Sequence, residues 1–405
     1  MRRFHPTAAF VSVILTAAFS LTTLQGCATP SRMAAVPRES VNEAEIPGLS
    51  GVRYYIDGNP VEMIRDGWQA IKQEKAYLAA SGNTGPLPPA VFLAISGGGD
   101  DGAFGAGLLA GWTAAGTRPV FKAVTGISTG ALTAPFAFLG PAYDDTLREV
   151  YTNVSQRDIL KRRNLLAALF NDALADNTPL WRLIKHHITP QLLSAIAAEH
   201  ARGRLLLIGT TDLDSRRGVI WNMGKIAASG HPRSLELFQS ILIASSAIPG
   251  AFPPVLIDVE AHGKHYQEMH VDGGAVAQVF AYPPSINLEE LSKKYDFQRE
   301  RTLYIIRNGR LDPQYAEVER RTLSIAARAI SSLIHSQGVG DLYRLYLTSQ
   351  RDGVFFNLAF IPSSFNFPHK EDFDTAYMRR LFDTGYDLAV KGYPWAKAPP
   401  EYDAR

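Results

Sequence analysis

Two short apolar runs, each ending in a glycine-rich turn that leads into a helical segment, constrain the fold of this chain more than any other feature. The first is Val91-Phe92-Leu93-Ala94-Ile95, followed by Ser96-Gly97-Gly98-Gly99 and a helical pattern over 103–115. The second spans 120–125 and leads into Gly126-Ile127-Ser128-Thr129-Gly130, then a helical segment over 131–139. Apolar runs of this length without alternation are strands buried on both faces, as in parallel sheets covered by helices. Strand, helix, strand, helix is the start of a doubly wound α/β sheet, whose functional loops gather at the carboxyl ends of its strands. Further strands are expected at 205–211, 218–222, 269–272, 303–307 and 354–361. Helices are expected over much of 158–170, 179–187, 191–201, 235–245, 316–335 and 374–390.

A chain of 405 residues that is 46% hydrophobic and 20% charged can bury at least one large core. Its formal charge of +2 includes Arg2 and Arg3, and nothing in a balance this even suggests a nucleic-acid binder, which normally shows a basic face. The N-terminus has the parts of an export signal: the two arginines, an apolar stretch from Ala8 to Leu24, and small residues beyond it. That stretch is shorter than the ~20 residues of a membrane span, though an uncleaved N-terminal helix is the alternative. Leu24-Gln25-Gly26-Cys27 resembles the bacterial lipobox, which implies acylation of Cys27. Cys27 is the only cysteine in the chain, so no intramolecular disulfide forms and the single thiol sits where a lipid would be attached. The expected location is the cell envelope, lipid-anchored. Ala28 after the cysteine favours, by resemblance to enterobacterial sorting, the outer membrane of a Gram-negative bacterium. The expected organisation is a signal peptide at 1–26, a solvated tether at 27–50, an N-terminal helical extension at 51–87 with a helix over 61–80, and one α/β domain at 88–395.

Gly97-Gly98-Gly99-Asp100-Asp101-Gly102 contains the spacing of a dinucleotide fingerprint, but such a site needs an acidic residue at the end of the second strand for the ribose hydroxyls. No Asp or Glu occurs from Ala103 through Tyr143. A nucleotide P-loop fails as well, since no Gly-Lys-Ser/Thr follows the glycines.

Gly126-Ile127-Ser128-Thr129-Gly130 fits acyl transfer: a tight strand-to-helix turn exposes a serine hydroxyl, and small flanking residues permit the strained backbone. The competing reading is a serine that caps the following helix. The glycine loop at 97–99 lies one strand-helix-strand unit upstream and should reach the same sheet edge. Its backbone N–H groups can there stabilise the oxyanion formed when Ser128 attacks a carbonyl. A base is offered by His270-Val271-Asp272-Gly273-Gly274, although Asp-Gly is also an ordinary turn.

Taken together, the glycine loop, Gly126-Ile127-Ser128-Thr129-Gly130, the block Ala244-Ser245-Ser246-Ala247-Ile248-Pro249-Gly250-Ala251-Phe252-Pro253-Pro254 and Asp272-Gly273-Gly274 resemble the patatin-like phospholipases and acyl hydrolases. That resemblance implies a three-layer α/β/α fold with a mostly parallel central sheet. It also implies a dyad of Ser128 as nucleophile and Asp272 as base, with N–H groups of Gly97, Gly98 and Gly99 as the oxyanion hole. Gly126, Gly130, Gly273 and Gly274 support the motifs, the substrate is a membrane lipid or another acyl ester, and no organic cofactor or metal is implied. The chain departs from the pattern in one place: Asp101, preceded by Asp100, stands where the family usually has Arg or Lys, which disfavours anionic phospholipid. A conventional Ser-Asp-His hydrolase would draw its histidine from His335 or His369, neither of which carries a signature. A third class is a lipid-anchored envelope protein that keeps the fold without catalysis.

Overall fold

The central strands are buried without alternation: Leu93, Ala94 and Ile95 are fully inaccessible, as are Val124, Leu206 and Ile208. Helices therefore cover both faces of the sheet. The structure is a computed structural model that describes residues 31–163, 172–400 and 402; the export segment, Cys27 and the start of the expected tether lie outside them. The first half comprises β1 (Arg53–Tyr55), α1 (Val61–Ala80), β2 (Ala90–Ile95), α2 (Gly102–Ala114), β3 (Ala123–Gly126), α3 (Thr129–Leu139), α4 (Asp144–Thr152), α5 (Thr178–His187) and α6 (Pro190–Ala201). The second comprises β4 (Leu205–Asp212), β5 (Arg217–Asn222), α7 (Ser234–Ser245), β6 (Val255–Ala261), β7 (Lys264–Asp272), α8 (Leu288–Lys294), β8 (Arg301–Arg307), α9 (Thr322–Arg351), β9 (Val354–Phe360) and α10 (Thr375–Val390).

The sheet runs β1-β5-β4-β3-β2-β8-β9. Its five strands from β4 to β9 are mutually parallel, while β1 and β5 extend it antiparallel. The β6–β7 hairpin joins where β7 pairs the end of β4, Thr210 opposite Asp272. One face packs Ile95, Val124, Ile208 and Ile306 against α2, α3, α7 and α10; on the other, Ala94, Leu303 and Ile305 meet Leu342, Leu345 and Tyr346 of α9. The result is the expected three-layer α/β arrangement with a largely parallel sheet. Among the described residues, no helix is long and apolar enough to cross a membrane.

Four expectations are corrected. From residue 31 the supposed tether packs on the domain: Val36, Ala44, Ile46 and Leu49 are buried, and Glu45 exchanges two backbone hydrogen bonds with Glu260. Its apolar residues follow no period, so patterning alone could not show that they have a surface to bury against. The segment 51–87 is not a separate extension either, because β1 completes the sheet edge and Arg53 forms a buried ion pair with Glu268 of β7. Of the helix expected over 158–170, the described residues are helical at Gln156–Ile159, and Lys161–Arg162 pairs instead with Ala175–Asp176; 164–171 lie outside the described residues. The helix expected over 316–335 begins at Thr322 and continues to Arg351, through Gly338 and Gly340.

Candidate active site

Ser128 sits at the carboxyl end of β3 with φ +55° and ψ −125°, a region that side-chain-bearing residues rarely adopt and that stores strain at functional turns. The glycines on either side make the turn possible. A Cβ on Gly126 would lie 2.4 Å from the carbonyl oxygen of Gly130, and one on Gly130 would lie 2.3 Å from that of Ile95. The Ser128 N–H donates to Ser245 Oγ at 3.0 Å, and the Ser245 hydroxyl donates to the Gly209 carbonyl at 2.7 Å. The strained residue is thus tied to α7 and β4 as well as to its own turn.

Asp272 ends β7. Its N–H donates to the Ala247 carbonyl at 2.9 Å, and its Oδ1 accepts from the Gly274 N–H at 2.7 Å. The Ser128 hydroxyl lies close enough to the same carboxylate to pull its pKa down, so the two sequence-predicted residues come together. Burial pushes the Asp272 carboxyl up to about 6, against the opposing pull of the bonds from Ser128 and Gly274. Both residues are nearly inaccessible, at 7% for Ser128 and 6% for Asp272, so water screens little of the interaction between them.

The glycine loop lies against this pair: a Cβ on Gly97 would approach that of Ser128 to 3.2 Å. The three glycines are not equivalent. The Gly97 N–H donates to the Gln278 carbonyl at 3.0 Å, which corrects its expected place as an oxyanion donor. Among the described residues the N–H groups of Gly98 and Gly99 have no partner. Only glycine fits at 98, where a Cβ would lie 2.1 Å from the Asn308 carbonyl oxygen. The Thr129 N–H, at the first position of α3, has no acceptor within the helix and is a further donor beside Ser128.

Asp100 and Asp101 neither point freely to solvent nor pair directly with an arginine. Asp100 Oδ2 accepts from the Phe373 N–H at 2.8 Å and lies 2.7 Å from His369 Nε2, while Asp101 Oδ1 accepts from the Tyr377 hydroxyl at 2.6 Å. A cation does stand under the loop. Arg307, at the end of β8, is buried and donates to Ser96 Oγ and the Gly97 carbonyl, both at 3.3 Å, and its buried Nε has no partner. Burial lowers its pKa, while the fields of Asp101 and Asp341 raise it. His369 is held by Asp100 and stacked on Tyr377. Among the described residues no histidine hydrogen-bonds the Ser128 hydroxyl or the Asp272 carboxylate; His270, two residues away, is bound to Thr210 and Glu268.

Beside Gly99 and Thr129 opens an apolar hollow of about 70 Å³, lined by Leu132, Phe136, Ile159, Leu180, Ile184 and Leu242. A larger one, about 180 Å³, lies beneath α1 and includes neither Ser128 nor Asp272. Among the described residues no three His, Cys, Asp or Glu side chains are placed to hold a metal ion.

Sequence reasoning missed Ser245 and Arg307. Ser245 lay inside a block that entered only as part of the family resemblance. Arg307 ends a strand recognised only for its apolar residues, and no local spacing connects it to the glycine loop.

Residues 93–283 match the family model described as patatin-like phospholipase. No curated protein matches the chain. Among solved structures, VipD from Legionella pneumophila is similar at 10% identity over 75% of this chain and 66% of its own, with a TM-score of 0.36. Human GIVD cytosolic phospholipase A2 is similar at 11% identity over 70% of this chain and 51% of its own, with a TM-score of 0.29. The chain therefore spans just under two thirds of the length of the first and about half that of the second.

Proposed function

With residues 93–283 forming a domain of the patatin-like phospholipase family, we propose that this protein is a serine acyl hydrolase that cleaves lipid carboxylic esters through a dyad of Ser128 and Asp272. The observation that carries the reading is a strained Ser128 placed next to a buried carboxylate, with unpartnered N–H groups of Gly98 and Gly99 alongside.

Asp272 takes the proton as Ser128 Oγ attacks the ester carbonyl, and the N–H groups of Gly98 and Gly99 receive the charge that develops on its oxygen. The tetrahedral intermediate collapses to an acyl-enzyme as protonated Asp272 returns the proton to the leaving alkoxide. A water molecule then repeats the sequence, giving its proton to Asp272 and releasing the carboxylic acid. Raising the Asp272 pKa toward 6 makes it a stronger base than an ordinary carboxylate while leaving it ionised at neutral pH. The apolar hollow beside Gly99 and Thr129 suits the acyl chain. Arg307 offsets part of the negative field of Asp100 and Asp101, which still favours neutral over anionic esters.

Labelling by a fluorophosphonate probe tests the reading. Wild type is expected to label covalently and Ser128→Ala is not. A folded wild type that resists the probe would return the chain to a non-catalytic role on the same fold.

A further inference from the structure

The connection between the parallel strands β8 and β9 is longer than the sheet it crosses. Each strand has seven residues, or roughly 23 Å at the usual rise, whereas α9 has 30 residues, or roughly 45 Å. Because β8 and β9 are parallel, α9 starts beyond the carboxyl edge of the sheet and returns to the amino edge. It crosses the carboxyl edge beside the catalytic residues. There Gln337 donates to the Val276 carbonyl at 2.6 Å, Asp341 accepts from the Gln278 N–H at 2.6 Å, and Gly338 lies against Arg307. Four turns, Thr322 to Ser336, therefore stand out past the edge that carries Ser128.

This outstanding part is amphipathic in the reverse of the usual sense. Ile325, Ile330, Leu333 and Ile334 are 51%, 56%, 69% and 39% exposed. At 100° per residue they fall within one half of the helix circumference. Ser324, Arg328 and His335 occupy the other half and are the side turned toward the chain, each only partly exposed. Arg328 reaches back to the Gln314 carbonyl. In a helix that meets only water the apolar half would face inward, so this face is built for an apolar surface outside the protein. Its charge indicates which surface. From Arg320 to Gly340 the sequence has three arginines, at 320, 321 and 328, and no carboxylate; Glu317 and Glu319 come just before, Glu319 pairing with Arg321, so the stretch from 317 to 340 keeps one net positive charge.

We infer that residues 322–336 are an interfacial docking helix that lies in the headgroup region of an anionic lipid bilayer and brings the Ser128 edge to the membrane surface. The inference rests on the lipid-hydrolase reading only for what Ser128 does once there; the docking itself follows from geometry and charge.

The test uses the full chain with Cys27→Ser, so that Ile330→Cys carries the only thiol, labelled with an environment-sensitive NBD fluorophore. Vesicles of phosphatidylglycerol and phosphatidylethanolamine are expected to shift its emission to the blue, and vesicles of phosphatidylcholine are not. Removing the charge with Arg320→Ala, Arg321→Ala and Arg328→Ala together is expected to weaken the response to anionic vesicles about tenfold. In the unlabelled chain, Ile330→Glu with Leu333→Glu is expected to reduce hydrolysis of vesicle lipid about tenfold while leaving turnover of a soluble p-nitrophenyl ester unchanged. A label that stays water-like with anionic vesicles overturns the inference. So does a label already shielded without lipid in a concentration-dependent way, with light scattering of a dimer, which would assign the face to a second copy of this chain. If instead the label responds but no vesicle lipid is hydrolysed, the docking stands and the hydrolase reading falls.

Discussion

Asp272 ends β7 and Asp101 ends the turn that follows the loop glycines, and burial pushes each up to about 6. Their surroundings separate them. Asp272 is almost inaccessible and faces a strained serine hydroxyl next to unpartnered backbone N–H groups. Asp101 is partly exposed and accepts from the Tyr377 hydroxyl, with Asp100, His369 and Arg307 shaping its field. Burial pushes that phenol further above its ordinary value, and Asp101 adds to the push. A perturbed carboxyl is therefore not a base merely because it is perturbed: it needs an acid whose conjugate base can attack something, and a place for the resulting charge.

The largest effect that would break this comparison is on turnover. Asp272→Asn is expected to lower kcat on a p-nitrophenyl ester by at least about 10³-fold with the fold intact by circular dichroism, as for members of one catalytic unit. Asp101→Asn, His335→Ala and His369→Ala are expected to stay within about threefold of wild type. Near-complete loss in either folded histidine variant would replace the dyad by a triad.

The pH dependence sharpens the comparison next. As a base Asp272 must be ionised, so kcat/KM is expected to rise with pH and level off above about 6, and Asp101→Asn should keep that profile. Stability runs the other way. A folded-state pKa raised above the unfolded value means that the native state holds the extra proton, so the contribution of Asp272 to stability falls as pH rises through the interval from about 4 to 6. At pH 8 Asp272→Asn is expected to be more stable than wild type by about 1–3 kcal/mol, as read by urea unfolding. An unfolding midpoint at pH 8 no higher than that of wild type would contradict the buried, charge-penalised carboxylate.

The smallest effect concerns the support of the pair. Ser245→Ala removes the acceptor for the Ser128 N–H and is expected to lower kcat about tenfold, the order of one buried hydrogen bond, with KM little changed. An unchanged kcat would mean that the turn at 126–130 holds Ser128 without help.

Much of the sheet was legible because buried parallel strands must be continuously apolar: β2, β4, β5, β8 and β9 fall within two residues of their expected bounds. Strand β6 and the first half of β7 were not, since Lys264-His265-Tyr266-Gln267-Glu268 is a polar run whose strand character comes from its partner β6. Residues 31–50 failed for a related reason, since scattered apolar side chains have no period to betray the surface they cover.

What the sequence determined by itself was whatever a local backbone demands of residue type. The turn around Ser128 admits nothing larger than glycine at 126 and 130, so the demand is written into the sequence and Ser128, the proposed nucleophile, could be singled out from it. The pairing of Ser128 with Asp272, the tie from Ser245 across 117 positions of sequence, the occupied N–H of Gly97, the buried Arg307 under the loop and the outstanding half of α9 were decided only by tertiary structure. Contacts between distant segments depend on where the sheet places their ends, and a hydrogen bond across that distance constrains no spacing along the chain.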